Sequence, residues 1–86
     1  MDVDFTKAFN KQFDKLTLKR QQQARDAIAL LIKDEYATPL RNHGLKGQWS
    51  GYRSISVGGD LRLHYKVIAK TKVLFVAVGS HSQLYK

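Results

Sequence analysis

Three histidines, a carboxylate, two arginines and several aromatic rings are crowded into the second half of this 86-residue chain. His43, Trp49, Tyr52, Arg53, Asp60, Arg62 and His64 lie within residues 42–65, and His81 and Tyr85 lie in the closing segment, residues 79–85. Together these side chains have what metal-independent cleavage of RNA requires. One group must take the proton of a ribose 2′-OH, another must protonate the departing 5′-oxygen, and cations must stabilise charge growing on the phosphorus centre. Histidine suits both proton transfers because its reference pKa lies near ~6.5. Arginine grips a phosphate with two parallel donors, and single-stranded bases stack on aromatic rings. Tyr85 is the candidate for that last task. Trp49 and Tyr52 sit where a strand starts and are read first as plugs at the edge of a core.

Other chemistries find no foothold. His43, Asp60, His64 and His81 do not form a ligand spacing such as HExxH, and the net charge of +8 opposes a cation. No metal and no cofactor are therefore expected. A Gly-x-Ser-x-Gly elbow, a P-loop and a dinucleotide fingerprint are all missing from the sequence. Cysteine is absent, which removes disulfides, thiolate metal sites and a cysteine nucleophile. Residues 1–36 hold seven basic and six acidic side chains, whereas residues 37–86 hold eight basic ones and a single acid, Asp60. A phosphate backbone is the commonest partner for such a surface, because neutralising it releases counterions. A basic domain that is merely soluble and one that binds an acidic protein tail are the alternatives that charge alone leaves open.

The elements that must position these groups follow from periodicity. Thr6 can cap a helix starting at Lys7, with Phe5, Phe9, Phe13 and Leu16 at helical spacing. Thr17 opens a second helix over about residues 18–35, with Ala24, Ala27, Ile28, Leu31 and Ile32 as its buried stripe. So short a link between them predicts a helical hairpin. Pro39 closes the helical region, and residues 40–47 read as a loop exposing His43.

After Gly47 the pattern alternates. Residues 52–57 read as a strand, Gly58-Gly59 as a tight turn, and Leu61, Leu63, Tyr65 and Val67 alternate with Arg62, His64 and Lys66. Residues 73–78 form an apolar strand suited to the interior of a sheet. The expected architecture is α+β, one domain over residues 1–86: an N-terminal helical hairpin on a small three-stranded antiparallel sheet, with a possible extra strand over residues 1–4. The helices cover one face and leave the basic residues on the other. His64 is read as a surface or partly buried residue without a role. The apolar run at residues 73–78 is too short to span a membrane, and the acidic start is unlike a signal peptide. The expectation is a soluble protein with no membrane partner.

The run from His43 through Gly44-Leu45-Lys46-Gly47-Gln48-Trp49-Ser50-Gly51-Tyr52 to Arg53, followed by Asp60, Leu63-His64-Tyr65 and Gly79-Ser80-His81-Ser82-Gln83-Leu84-Tyr85, resembles the YafQ-like branch of the RelE/ParE toxin superfamily. The likeness is strong over residues 40–85 and rests mainly on helix pattern and length before that. It implies a small α+β toxin of a bacterial type II toxin–antitoxin pair. Such a toxin works in the cytoplasm, cuts mRNA in the ribosomal A site, and is neutralised by a cognate antitoxin that wraps around it.

By position the resemblance assigns His43, Asp60, His81 and Tyr85 to the active site, with His81 foremost as general acid or base. Two positions depart from it: the pattern's carboxylate after the Gly-Tyr-Arg arginine is Ser54, and its histidine two residues further on is Ser56. Gly59 also replaces a proline. Arg62 is the candidate to compensate, sharing the scissile phosphate with Arg53. Lys46, Lys66 and Trp49 complete the RNA-contacting candidates. Two other functions share this fold: a ParE-like gyrase inhibitor, against which His81 argues, and a catalytically degenerate binder, for which Ser54 and Ser56 argue.

Overall fold

Thr6 and Thr17 decide where the helices begin in the computed structural model, which describes residues 1–85. Both are extended, and their hydroxyls accept backbone N–H groups from Phe9 at 3.1 Å and Arg20 at 3.2 Å. Each cap satisfies a donor that a first helical turn leaves without a partner. Helix α1 spans Lys7–Asp14 and α2 spans Leu18–Lys33. Ala24, Ala27 and Leu31 are buried as expected, but Ile32 is 45% exposed, because the neighbouring position lies about 100° further round the helix. Phe5 leaves the expected α1 stripe altogether. It belongs to strand β1 and packs on Phe9 with ring centroids 5.1 Å apart.

The strands are β1 (Asp2–Phe5), β2 (His43–Gly44), β3 (Arg53–Gly58), β4 (Leu61–Ala69) and β5 (Lys72–Ser80), followed by a short helix α3 (His81–Leu84). Their order in the sheet is β1-β5-β4-β3-β2. The expected meander forms the middle three strands. The N-terminal strand is present but pairs with β5 in parallel, Val3 opposite Val73 and Phe5 opposite Phe75, so the sheet is mixed. Parallel pairing needs a crossover, and the helices with the strands after them provide it. In the β3–β4 turn Gly59 adopts φ 55°, a left-handed conformation that glycine takes without steric cost.

Residues directly opposed in a ladder share a face of the sheet. Ile55 and Leu63 face the helices and join Phe9, Ala24, Leu31 and Phe75 in the core. Ser54 with His64, and Ser56 with Arg62, face the other way. That second face is only partly free, because α3 and the turn carrying Trp49 lie over it. His64, expected to be at the surface or partly buried, is therefore 0% exposed. Among the described residues no helix is long and apolar enough to cross a membrane.

Candidate active site

The sheet register builds the site. His43 opposes Ser54 and Ser54 opposes His64, so these three side chains form one row across β2, β3 and β4 on the face away from the helices. At the edge, His43 is exposed and its Nδ1 lies 2.8 Å from the carbonyl oxygen of Arg41. A carbonyl only accepts, so Nδ1 carries the hydrogen. The neutral ring then keeps its lone pair on Nε2. Arg41 holds that carbonyl in place from a left-handed conformation, φ 48°.

Helix α3 delivers His81 and Tyr85 to the other end of the row. Ser80 and Gln83 cap it reciprocally: the Ser80 hydroxyl accepts the Gln83 N–H at 3.2 Å, and the Gln83 side-chain oxygen accepts the Ser80 N–H at 2.8 Å. The His81 N–H donates to the Asp60 carbonyl at 3.0 Å. The exposed His81 ring lies against Tyr85, centroids 4.4 Å apart and planes tilted by 35°. Tyr85 reaches back to the row, with its hydroxyl 3.2 Å from His64 Nε2. Trp49 closes the space between them. Its ring meets His64 edge-on at 4.6 Å, and its indole N–H donates to the Leu84 carbonyl at 3.0 Å, fastening α3 to the sheet.

His64 senses both of the other histidines. Burial, and then the positive charge that His43 and His81 can carry, lower its pKa from 6.5 to about 4. It is therefore neutral at physiological pH, between two exposed imidazoles. Its Nδ1 and the Ser54 hydroxyl are buried without a protein hydrogen-bond partner among the described residues.

Arg62 stands in the next row, opposite Ser56. Its guanidinium is steadied by the carbonyls of Gly59 and Leu61 at 3.0 and 3.1 Å. With Arg41, Ser56 and Gly59 it lines a groove of about 240 Å³. Arg53 does not join it. Arg53 opposes Tyr65 and so faces the helix side, where its Nε donates to Asn42 at 2.9 Å and its guanidinium lies over Tyr36 at 5.8 Å. The expected sharing of one phosphate by Arg53 and Arg62 is thus corrected by strand alternation.

Asp60 is exposed, and its carboxylate is 3.9 Å from Arg20. Its backbone, through His81, does the positioning. Lys46 and Lys66 are exposed, Lys66 with its ammonium 5.6 Å from the Tyr52 ring centroid. Trp49 is half-buried and occupied with His64 and Leu84, in keeping with its reading as a plug. Two residues of the site escaped sequence reasoning: His64, and Arg41, which sits two positions before His43. Among the described residues no three His, Asp or Glu side chains converge as metal ligands.

The family model described as the bacterial toxin of type II toxin–antitoxin systems, YafQ, matches residues 1–86. The chain belongs to this family. It is 30% identical over 89 residues to the mRNA interferase toxin YafQ of Escherichia coli strain K12, covering 98% of this chain and 95% of that one. The crystal structure of YafQ from E. coli BL21(DE3) superposes with a TM-score of 0.81 at 27% identity, covering 99% and 98% of the two chains. The toxin in the crystal structure of the E. coli DinJ–YafQ complex gives 0.77 at 29% identity, covering 99% and 98%. The resemblance read from residues 40–85 therefore extends over the whole chain, as does the α+β fold it implied.

The structure also locates Ser54 and Ser56, the two positions that the sequence resemblance singles out. Ser54 is 0% exposed beneath the histidine row, and Ser56 lines the groove beside Arg62. A carboxylate at position 54 would be enclosed by His43 and His64. Serine leaves that row without a negative charge.

Proposed function

We propose that this YafQ-family toxin is an endoribonuclease that cuts messenger RNA. His43 is the general base and His81 the general acid, and Arg62 with Arg41 holds the scissile phosphate. The observation that carries this reading is the approach of His43 and His81, from opposite ends of one row, to the same buried His64. His43 Nε2, free because Nδ1 is bound, takes the 2′-OH proton. The 2′-oxygen forms its bond to phosphorus while the bond to the 5′-oxygen breaks, and His81 protonates the departing oxygen. Arg62 and Arg41 neutralise the phosphate as charge builds up, and Tyr85 lies beside His81 to orient the nucleotide. Asp60 contributes by anchoring α3, and Lys46 and Lys66 by attracting the RNA backbone. No cofactor enters these steps.

The name of the E. coli relative, mRNA interferase toxin, supports the substrate. A message presented by the ribosome in the cytoplasm is the form in which a site this open would meet a fixed, extended strand. The DinJ–YafQ complex supports an antitoxin as the protein partner. With Asp60 the one acid in residues 37–86, an acidic antitoxin segment would complement the catalytic face.

The buried serine at position 54 favours a second reading, a toxin fold kept for binding alone. Mapping mRNA 5′ ends after expression of the wild type, His43→Ala and His81→Ala, with and without ribosomes, decides between them. Cuts lost in both variants support the nuclease. Intact transcripts in the wild type refute it, and blocked gyrase supercoiling in the same cells would point to the ParE-like activity.

A further inference from the structure

His64 is a buried, titratable group that the proposed chemistry leaves unused and to which sequence patterning assigns no role. We infer that His64 is a positioning residue for Tyr85: its Nε2–H donates to the phenolic oxygen, so the Tyr85 O–H is turned outward as a donor to the RNA. This rests on the ribonuclease reading of the site.

The direction of the hydrogen bond follows from what surrounds the ring. Tyr85 Oη lies 3.2 Å from Nε2, while Nδ1 is buried with no protein partner among the described residues. A neutral imidazole carries one hydrogen. Placing it on Nδ1 would bury an orphaned N–H, whereas placing it on Nε2 leaves only an unused lone pair inside, and orphaned buried donors are the rarer defect. Nε2 is therefore the donor. The ring is also fixed in orientation, with the Trp49 edge at 4.6 Å on one side and Tyr85 at 5.3 Å on another. Its lowered pKa keeps it neutral at physiological pH. Tyr85 lies at the end of a four-residue helix. So short a helix is poorly held by its own hydrogen bonds, and the bond to His64 ties the hydroxyl to the rigid middle of the sheet.

His64→Leu fills the site without a donor, His64→Gln supplies one, and Tyr85→Phe removes the acceptor. Loss of one net hydrogen bond predicts about a tenfold fall in kcat for His64→Leu with little change in KM. His64→Gln should recover most of that loss. In a Tyr85→Phe background, His64→Leu should cost nothing further, which a general weakening of the fold would not reproduce. Nitrogen-15 correlation spectra of histidine-labelled wild type at pH 7 should show the Nε2–H tautomer for His64, with an Nε2 shift that changes in Tyr85→Phe. Equal losses from His64→Leu in both backgrounds, or the Nδ1–H tautomer, would overturn the inference. Wild-type protein that cuts no RNA refutes the ribonuclease reading instead, and the tautomer then decides the Tyr85 hydrogen bond by itself.

Discussion

Acid should unfold this protein through His64 more than through any other histidine. In the folded chain the ring has a pKa of about 4 against a usual value of 6.5, because it is 0% exposed and faces His43 and His81. The unfolded chain binds the proton more tightly, so between those two values it carries more protons than the native state. Stability must then rise with pH, and the contribution present above pH 6.5 is lost as pH falls towards 4. Linkage gives a loss of about 2 kcal/mol at pH 5 and about 3 kcal/mol at pH 4 from this one group. For a domain of this length each kcal/mol moves Tm by about 4–8 °C. Carboxylates add their own acid sensitivity, so the quantity to measure is the difference between wild type and His64→Gln, whose amide does not titrate. Thermal melts at half-unit steps from pH 7.5 to 4 should show the two curves separating below pH 6.5, the variant losing less stability. The single tryptophan, packed edge-on to His64 at 4.6 Å, reports the same event by fluorescence. Parallel curves for wild type and variant would show that the buried imidazole does not set the acid limit.

Five further substitutions probe the remaining parts of the site. Arg62→Ala and Arg41→Ala should each lower kcat/KM by roughly 10- to 100-fold, the loss of a charge-assisted hydrogen bond, and should flatten the dependence of RNA binding on salt. Arg53→Ala, on the opposite face, should leave that salt dependence unchanged in the same filter-binding assay. Trp49→Phe removes the donor to the Leu84 carbonyl and should destabilise the chain by about 1 kcal/mol in urea titrations, with faster amide exchange in α3. Gly79→Ala places a methyl 3.0 Å from the Gln83 amide oxygen and 3.4 Å from Leu84 Cδ2. It should cost about 1 kcal/mol by overpacking and lower activity by lifting α3.

The helix starts and the three central strands could be read directly from local chemistry. Thr6 and Thr17 are caps whatever the rest of the fold does, and the alternation around Leu61, Leu63 and Tyr65 has a single apolar side. Alternation also held the answer for Arg53, which has the parity of Ile55 and so must face the helices. What stayed hidden depends on contacts between segments far apart in sequence. Nothing in Asp2–Phe5 says that it will pair in parallel with β5. His64 alternates as a solvent-facing residue should, and it is buried only because Trp49 and Tyr85, 15 residues before it and 21 after, close over it. Helix α3 did carry a local signal, Ser80 followed three residues later by Gln83.

The buried neutral histidine also bears on how a row with serine, and no carboxylate, at position 54 would work. A negative charge at position 54 would pull His43 and His64 towards their protonated forms and would hold a proton on the proposed base. With serine there, His43 has a carbonyl at Nδ1 and no carboxylate opposite it in the row. A neutral His43 is what the first step of cleavage needs. The same logic predicts that Ser54→Asp should raise the lower limb of the pH–rate profile of kcat/KM to higher pH by favouring protonated His43. If Ser54→Asp leaves that limb where it is in the wild type, the neighbouring charge does not govern the base, and His43 is not the group that takes the 2′-OH proton.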